Sequence, residues 1–246
     1  MKISKILTAL GMAAILFTSC KKDGDSGDNA INVDDNGNVV VGADADGALY
    51  SVMSHTFIGT SGTSFDQADF TYAWFGSYTA PLDAGDVTSN DVDLMNVGGG
   101  AFNWYMGFGM GGDIFSNGNN VTWKATGGAS VPAFTHVDNS PFPTGGTFVL
   151  PSSININNSF TLSHAGTAGE GVVYQVLGND GEVTKSAVGA SNAVTFTSAE
   201  MKQVCNGGGD PIAFMVMPVS VKSSTVGGKK YYFVKQYQVL RETVTQ

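Results

Sequence analysis

The sequence predicts an all-β protein, and three observations carry that expectation. Thirty-three glycines divide the 246 residues into short runs. Those runs are rich in Val, Thr, Phe and Tyr, the side chains that suit a pleated, half-buried surface. Charged residues make up only 13% of the chain, too few for the solvated faces of many helices. Helix should therefore be rare.

The chain begins with a segment that reads as an export signal rather than as part of the fold. Lys2 and Lys5 precede an apolar run from Ile6 to Phe17, broken only by Thr8 and Gly11, and Thr18-Ser19-Cys20 closes it on small residues. The run falls short of the roughly 20 apolar residues of a membrane-spanning helix. Leu16-Phe17-Thr18-Ser19-Cys20 resembles the bacterial lipobox in its relaxed Bacteroidota form. The resemblance implies that residues 1–19 are removed and that Cys20 carries lipid. Lys21-Lys22-Asp23-Gly24-Asp25 then looks like the charged tether of lipoproteins exported to the outer face of the Bacteroidota outer membrane. The competing reading is a plain secretory signal cleaved near Ser19, with Cys20 an ordinary thiol.

Residues 20–37 hold Asp25, Asp28, Asp34 and Asp35 among Gly, Ser and Asn, and read as a flexible acidic linker. Strand patterns follow at Val39–Val41, at Leu49–Ile58 and at Phe70–Phe75, where Phe70, Tyr72 and Trp74 share one face at period two. A short strand is expected within Val92–Val97. From Phe102 to Met110, Phe102, Trp104, Met106, Phe108 and Met110 alternate with smaller or polar residues, so one face belongs to a core. Val121–Lys124 and Val131–Phe134 read as a hairpin turning at Gly127-Gly128. Pro141, Pro143 and Gly145-Gly146 mark a boundary, which places an N-terminal acidic β domain at 38–145 and a second unit at 146–246.

In the second unit, strands are expected near Phe160–His164, Gly171–Leu177, Glu182–Val188, Ala193–Phe196, Ile212–Ser220 and Tyr231–Leu240. That cadence is the cadence of an immunoglobulin-like sandwich. Thr197-Ser198-Ala199-Glu200 is a capping box ahead of Met201–Val204 and predicts one short helix. The expected architecture is two β-sandwich units in tandem, the C-terminal one immunoglobulin-like. Val121-Thr122-Trp123 followed by Gly128–Phe134, then Ala193–Glu200 and Gly227–Val234, resemble uncharacterised Bacteroidota lipoproteins of all-β build. That resemblance implies a location and a fold, and no activity.

Charge narrows the partners. The formal net charge is −9, and no Lys or Arg stands between Lys22 and Lys124. Nucleic acid and anionic lipid both require a basic surface, so neither is an expected partner. Besides Cys20 the chain has only Cys205, which excludes a disulfide within the mature chain and reads as a small buried hydrophobe.

Catalytic patterns are weak. Gly107-Phe108-Gly109-Met110-Gly111-Gly112 has dinucleotide-loop spacing, but Asp113–Asn120 is turn-forming and supplies no helix. His55, His136 and His164 lie far apart in sequence with no metal-ligand spacing. A hydrolase without a recognisable motif is the enzymatic alternative. Asp44-Ala45-Asp46-Gly47 is the one metal-like feature: two carboxylates before a glycine turn suit calcium, yet no bidentate Glu follows, and the same residues make an ordinary turn. Phe75, Tyr78 and Tyr105 are out of phase with the core faces and are the expected exposed rings, on which a sugar would stack. The expectation is a lipid-anchored envelope protein, at the outer membrane or cell surface, of non-catalytic interaction or structural type. The alternative is a glycan-binding accessory lipoprotein of a surface uptake system. No cofactor is expected beyond the calcium candidate, and the partners would be the membrane, through the anchor, and a glycan or another envelope protein.

Overall fold

A computed structural model describes residues 31–33, 39–41, 44–58, 64–77, 79–104, 114–115 and 120–246, with backbone alone at 31–33, 39–41, 56–58 and 64–68. The described residues are almost all strand and turn, as the composition predicts. The one described helix, α1 (Ser198–Val204), carries the expected capping box: Thr197 accepts from the Glu200 backbone, and the Glu200 carboxylate accepts from the Thr197 backbone at 2.7 Å.

The fold is organised by a ten-stranded sheet. Its centre is a long hairpin, β17 (Pro211–Val226) and β18 (Lys229–Thr245), joined at Gly227-Gly228, where both residues have positive φ. On one side β17 pairs with β14 (Gly171–Leu177), and β14 with β15 (Glu182–Val188), all antiparallel. On the other, β18 pairs parallel with β3 (Gly47–Ile58), which pairs with β4 (Ser64–Ser77). Beyond β4 lie β9 (Ala101–Trp104) and β8 (Met95–Gly98), and two short strands complete the ten, β5 (Ala80–Pro81) beside β4 and β12 (Ser153–Ile154) parallel to the end of β18. The β8–β9 turn needs Gly100, whose φ is +76° and whose Cβ would lie 2.3 Å from the Phe75 carbonyl oxygen.

This sheet corrects the expected division at 145/146. β3, β4, β8 and β9 come from the 38–145 segment and β14, β15, β17 and β18 from the 146–246 segment, and all lie in one sheet. Two sandwich layers do exist, but both rest on the same side of that shared sheet. The first is a small sheet of β11 (Phe134–Asp138), β10 (Val121–Ala125), β6 (Val87–Ser89) and β7 (Val92–Asp93). It turns between β6 and β7 at Asn90 (φ 47°) and Asp91 (φ 62°), a two-residue hairpin of the kind whose twist matches the strands. Its core holds Phe75, Phe102, Trp123 and Phe134, together with Tyr231 and Phe233 from β18. The second layer is the pair β13 (Phe160–Ser163) and β16 (Ala193–Phe196) with α1. Its core holds Leu162, Tyr174, Phe196, Met201, Cys205 and Phe214. Cys205 is fully buried there, as a small hydrophobe.

Candidate functional site

The side of the large sheet away from both sandwich cores carries the candidate site. Strand alternation sends Leu49, Ala73, Phe75, Tyr231 and Phe233 to one side, and Ala48, Tyr50, Val52, Phe70, Tyr72, Trp74, Tyr232 and Val234 to the other. On that second side β17 adds Met215, Met217, Val219 and Val221, and β14 adds Val173 and Leu177. The face is apolar across five strands. Its aromatic end is ordered by cross-strand pairing: Tyr50 stands opposite Tyr72 in the β3–β4 ladder, and the rings stack with centroids 4.5 Å apart and 7° between planes. Phe70 continues the row, 6.5 Å from Tyr72. Burial holds the Tyr50 and Tyr72 hydroxyls well above the ordinary phenol range, so both rings stay neutral at any physiological pH. Gln236 is buried on this face and donates to the Met217 sulfur at 2.8 Å.

The packed residues of this cluster come from strands of the one sheet and from Ala45, which precedes β3. Among the described residues no second layer lies over it. The two cores on the opposite side, by contrast, are each closed by a separate sheet.

The residues expected from sequence to form a site are not brought together here. Phe75 is buried, not exposed: it packs edge-on against Phe102 at 5.8 Å and against Tyr231 at 5.9 Å. The expectation assumed that β4 buries one face only, whereas β4 is covered on its Phe75 side by the small sheet and packs its Tyr72 side into the aromatic cluster. Trp104, expected in a core, packs against the Phe75 core. Tyr78, Tyr105 and Cys20 lie outside the described residues, as does the rest of the Met106–Met110 stripe. Exposed large apolar side chains among the described residues are Met95, Val97, Val137, Val149, Val188 and Val244, none of them aromatic. A hollow of about 230 Å³ beside β8, lined by Pro81, Asp83, Asn96, Gly100 and Phe102, offers no exposed ring to a sugar either.

Asp44 and Asp46 face lysines. The Lys229 ammonium donates to Asp46 at 3.0 Å, the Lys230 backbone N–H to its other oxygen at 2.8 Å, the Lys230 ammonium to Asp44 at 2.8 Å and the Tyr232 hydroxyl to its other oxygen at 2.9 Å. The Lys230 hydrogen bond, against a smaller cost of burial, holds the Asp44 carboxyl below its ordinary value. With every carboxylate oxygen taken by a donor, these residues fasten the start of β3 to the start of β18. Millimolar calcium should leave the melting temperature unchanged; a rise of several degrees, lost in Asp46→Ala, would restore the calcium reading.

The histidines stay apart in environment as in sequence. His55 lies 4.9 Å from the Tyr237 ring, His136 stacks on Phe233 at 3.6 Å, and His164 bridges the Ala165 carbonyl and the Tyr174 hydroxyl. Burial lowers the pKa of His55 and His136. No family model, no curated protein and no solved structure matches this chain.

Proposed function

We propose that the chain is a lipid-anchored protein of the bacterial cell envelope, at the outer membrane or the cell surface, that works by non-catalytic interaction through the Tyr50–Tyr72 face. The observation that carries the interaction role is that face itself, an apolar, aromatic-ended and buried cluster built by one sheet, over which no second layer stands among the described residues, while both other cores are closed by their own second layers. Anchoring is supported by the sequence from Lys2 to Cys20, and the resemblance to Bacteroidota surface lipoproteins supports the location. Within this reading the 146–246 segment is an immunoglobulin-like variant, supported by its strand cadence and by the helix between β16 and β17. The absence of catalysis is supported by the treatment of the titratable groups: each histidine is engaged by its own aromatic neighbour, and Asp138 is sealed between two lysines.

Cys20→Ala tests the anchor. The variant should appear in the soluble fraction or accumulate unprocessed, because two or three acyl chains hold a protein at a membrane where a single chain binds only reversibly. A variant that stays membrane-bound and normally processed would overturn the anchor. Binding on a glycan array that Tyr78→Ala or Tyr105→Ala abolishes in a folded protein would instead favour the accessory-binder alternative.

A further inference from the structure

We propose that the free edge of β8 is a second interaction surface, which takes an extended segment of another protein as an added strand and reads a lysine or arginine of that segment in the hollow beside it. The edge lies at the end of the large sheet and is separate from the Tyr50–Tyr72 cluster.

The two ends of the ten-stranded sheet are built differently. At one end β15 carries Glu182 and Lys185, charges of the kind that keep a foreign strand off, and β1 (Ile31–Val33), paired with β2 (Val39–Val41), lies against it. At the other end β8 reads Met95-Asn96-Val97-Gly98, without charge or proline, and among the described residues no strand pairs with its outer side. All four residues are exposed, Met95 at 68% and Val97 at 53%. The one irregularity falls between Asn96 and Gly98, which leaves Met95 and Asn96 in regular register with Asn103 and Phe102. Such an edge is a template: its backbone N–H and C=O groups offer main-chain bonds, and its exposed apolar side chains offer contact to a neighbour.

The hollow gives the added strand a specificity. Asn96 stands opposite Phe102 in the β8–β9 ladder, so it points to the small-sheet side, whereas Met95 points with Asn103 and Tyr72 to the other. The hollow of about 230 Å³ lies on the Asn96 side. A strand added to β8 would run about 4.8 Å away and send every second side chain to that side. Pro81, Leu82 and Phe102 give the hollow apolar walls, and the exposed Asp83 gives it a carboxylate. The Gly85 N–H at 3.0 Å and the Ala129 N–H at 3.3 Å fix the two oxygens of Asp83, and each oxygen keeps a lone pair for a further donor. An apolar passage ending on a held carboxylate suits a long aliphatic stem with a cationic head.

Charge selects the same occupant. From Thr79 to Trp104 the chain has Asp83, Asp86, Asp91 and Asp93 and no Lys or Arg. Lys124 neutralises Asp91 at 2.5 Å, but Asp83, Asp86 and Asp93 have no ion-pair partner among the described residues. A second copy is the wrong occupant. Two β8 edges laid together would set these aspartates against each other with no basic side chain between them, on chains that each carry a net charge of −9. A basic extended segment meets both demands, apolar residues over Met95 and a cation in the hollow.

The experiment uses the full chain and a fluorescein-labelled peptide, Ser-Thr-Val-Lys-Val-Thr-Val-Ser, whose lysine and valines fall on opposite faces of a strand. Fluorescence anisotropy should report binding, and the same peptide with Glu for Lys should bind several-fold more weakly. N-methylation of alternate amides leaves every side chain in place and removes the ladder; in at least one of its two phases it should weaken binding by about tenfold. Met95→Lys with Val97→Lys changes only exposed side chains and should abolish binding with an unchanged far-ultraviolet circular dichroism spectrum. Asp83→Asn should cost the Lys peptide several-fold and leave the Glu peptide unaffected. No anisotropy change at millimolar peptide overturns the proposal. Equal binding of the parent and both N-methylated peptides does so as well, since it reduces the contact to charge attraction. A wild-type dimer that the double lysine variant dissolves also overturns it, because the occupant is then a second copy.

Discussion

Asp138→Ala should destabilise the fold by about 3–5 kcal/mol, because it strands a lysine that has no route to water. Asp138 ends β11 in the small sheet, and Lys235 sits in the middle of β18, with side chains only 5% and 3% exposed. The Lys235 ammonium lies 3.6 Å from one carboxylate oxygen and donates to the carbonyls of Asp138 at 3.0 Å and Ser140 at 2.6 Å, over the Phe142 ring. Lys222, more exposed, donates to the other carboxylate oxygen at 2.6 Å, which also accepts from the Ser140 hydroxyl. Burial alone would push the Asp138 carboxyl up; the hydrogen bonds from Lys222 and Ser140 and the charge of Lys235 outweigh it and hold the group at about 2. Burial pulls the Lys235 ammonium down, against the pull of Asp138. The folded carboxyl is thus depressed below its unfolded value of about 3.9, so its contribution is fully present above that value and is lost as pH falls through about 2. Urea unfolding at pH 7 and at acid pH checks both statements. Asp138→Ala should be far less stable at pH 7 and should lose less than wild type on going to pH 2. A loss below about 1 kcal/mol at pH 7 would mean that Lys235 finds water or another acceptor without Asp138.

That cluster also shows what local sequence cannot carry. Asp138 and Lys235 are 97 positions apart, and nothing near either residue announces the other. Where a signal is local the sequence is legible to the residue: β14 over Gly171–Leu177, β15 over Glu182–Val188 and β16 over Ala193–Phe196 follow from period and turn residues, and α1 from its capping box. The two-unit division fails for a non-local reason, the parallel pairing of β3 with β18, which no turn or spacing records. β17 and β18 run past their expected ends because Lys222–Val226 and Lys229-Lys230 are polar or exposed, though the ladder continues through them.

The misplaced Phe75 has a readable cause. Gly47-Ala48-Leu49-Tyr50-Ser51-Val52 in β3 is buried at every residue, and so is Gly171–Leu177 in β14. Near-continuous apolar runs of this kind mark strands covered on both faces, where alternation no longer separates core from solvent. Read that way, β4 next to β3 would have been given two buried faces. The Tyr50–Tyr72 row follows partly from the Phe70, Tyr72 and Trp74 alternation, but its partner strand and the side of the sheet it lies on are matters of topology.

Trp123→Ala should cost about 3–5 kcal/mol, comparable to a large part of a domain's stability, and the loss should appear in a single unfolding transition. Trp123 is 1% exposed at the middle of β10, in register with His136 on one side and Ser89 on the other. It is among the largest fully buried side chains and fills the space between the small sheet and the Phe75, Phe102 and Phe233 layer. Truncation leaves a cavity that β10 cannot close by moving, since both its edges are hydrogen-bonded. The single transition follows from β18, which lends Tyr231 and Phe233 to this core and Val239 to the other, so that one strand cannot unzip from the first layer and stay seated in the second. Urea unfolding followed by circular dichroism and by near-ultraviolet tyrosine signals should give coincident curves, both shifted to lower midpoint in the variant with the slope unchanged. Two separated transitions, with only the first moved by Trp123→Ala, would show that the cores unfold independently despite sharing β18.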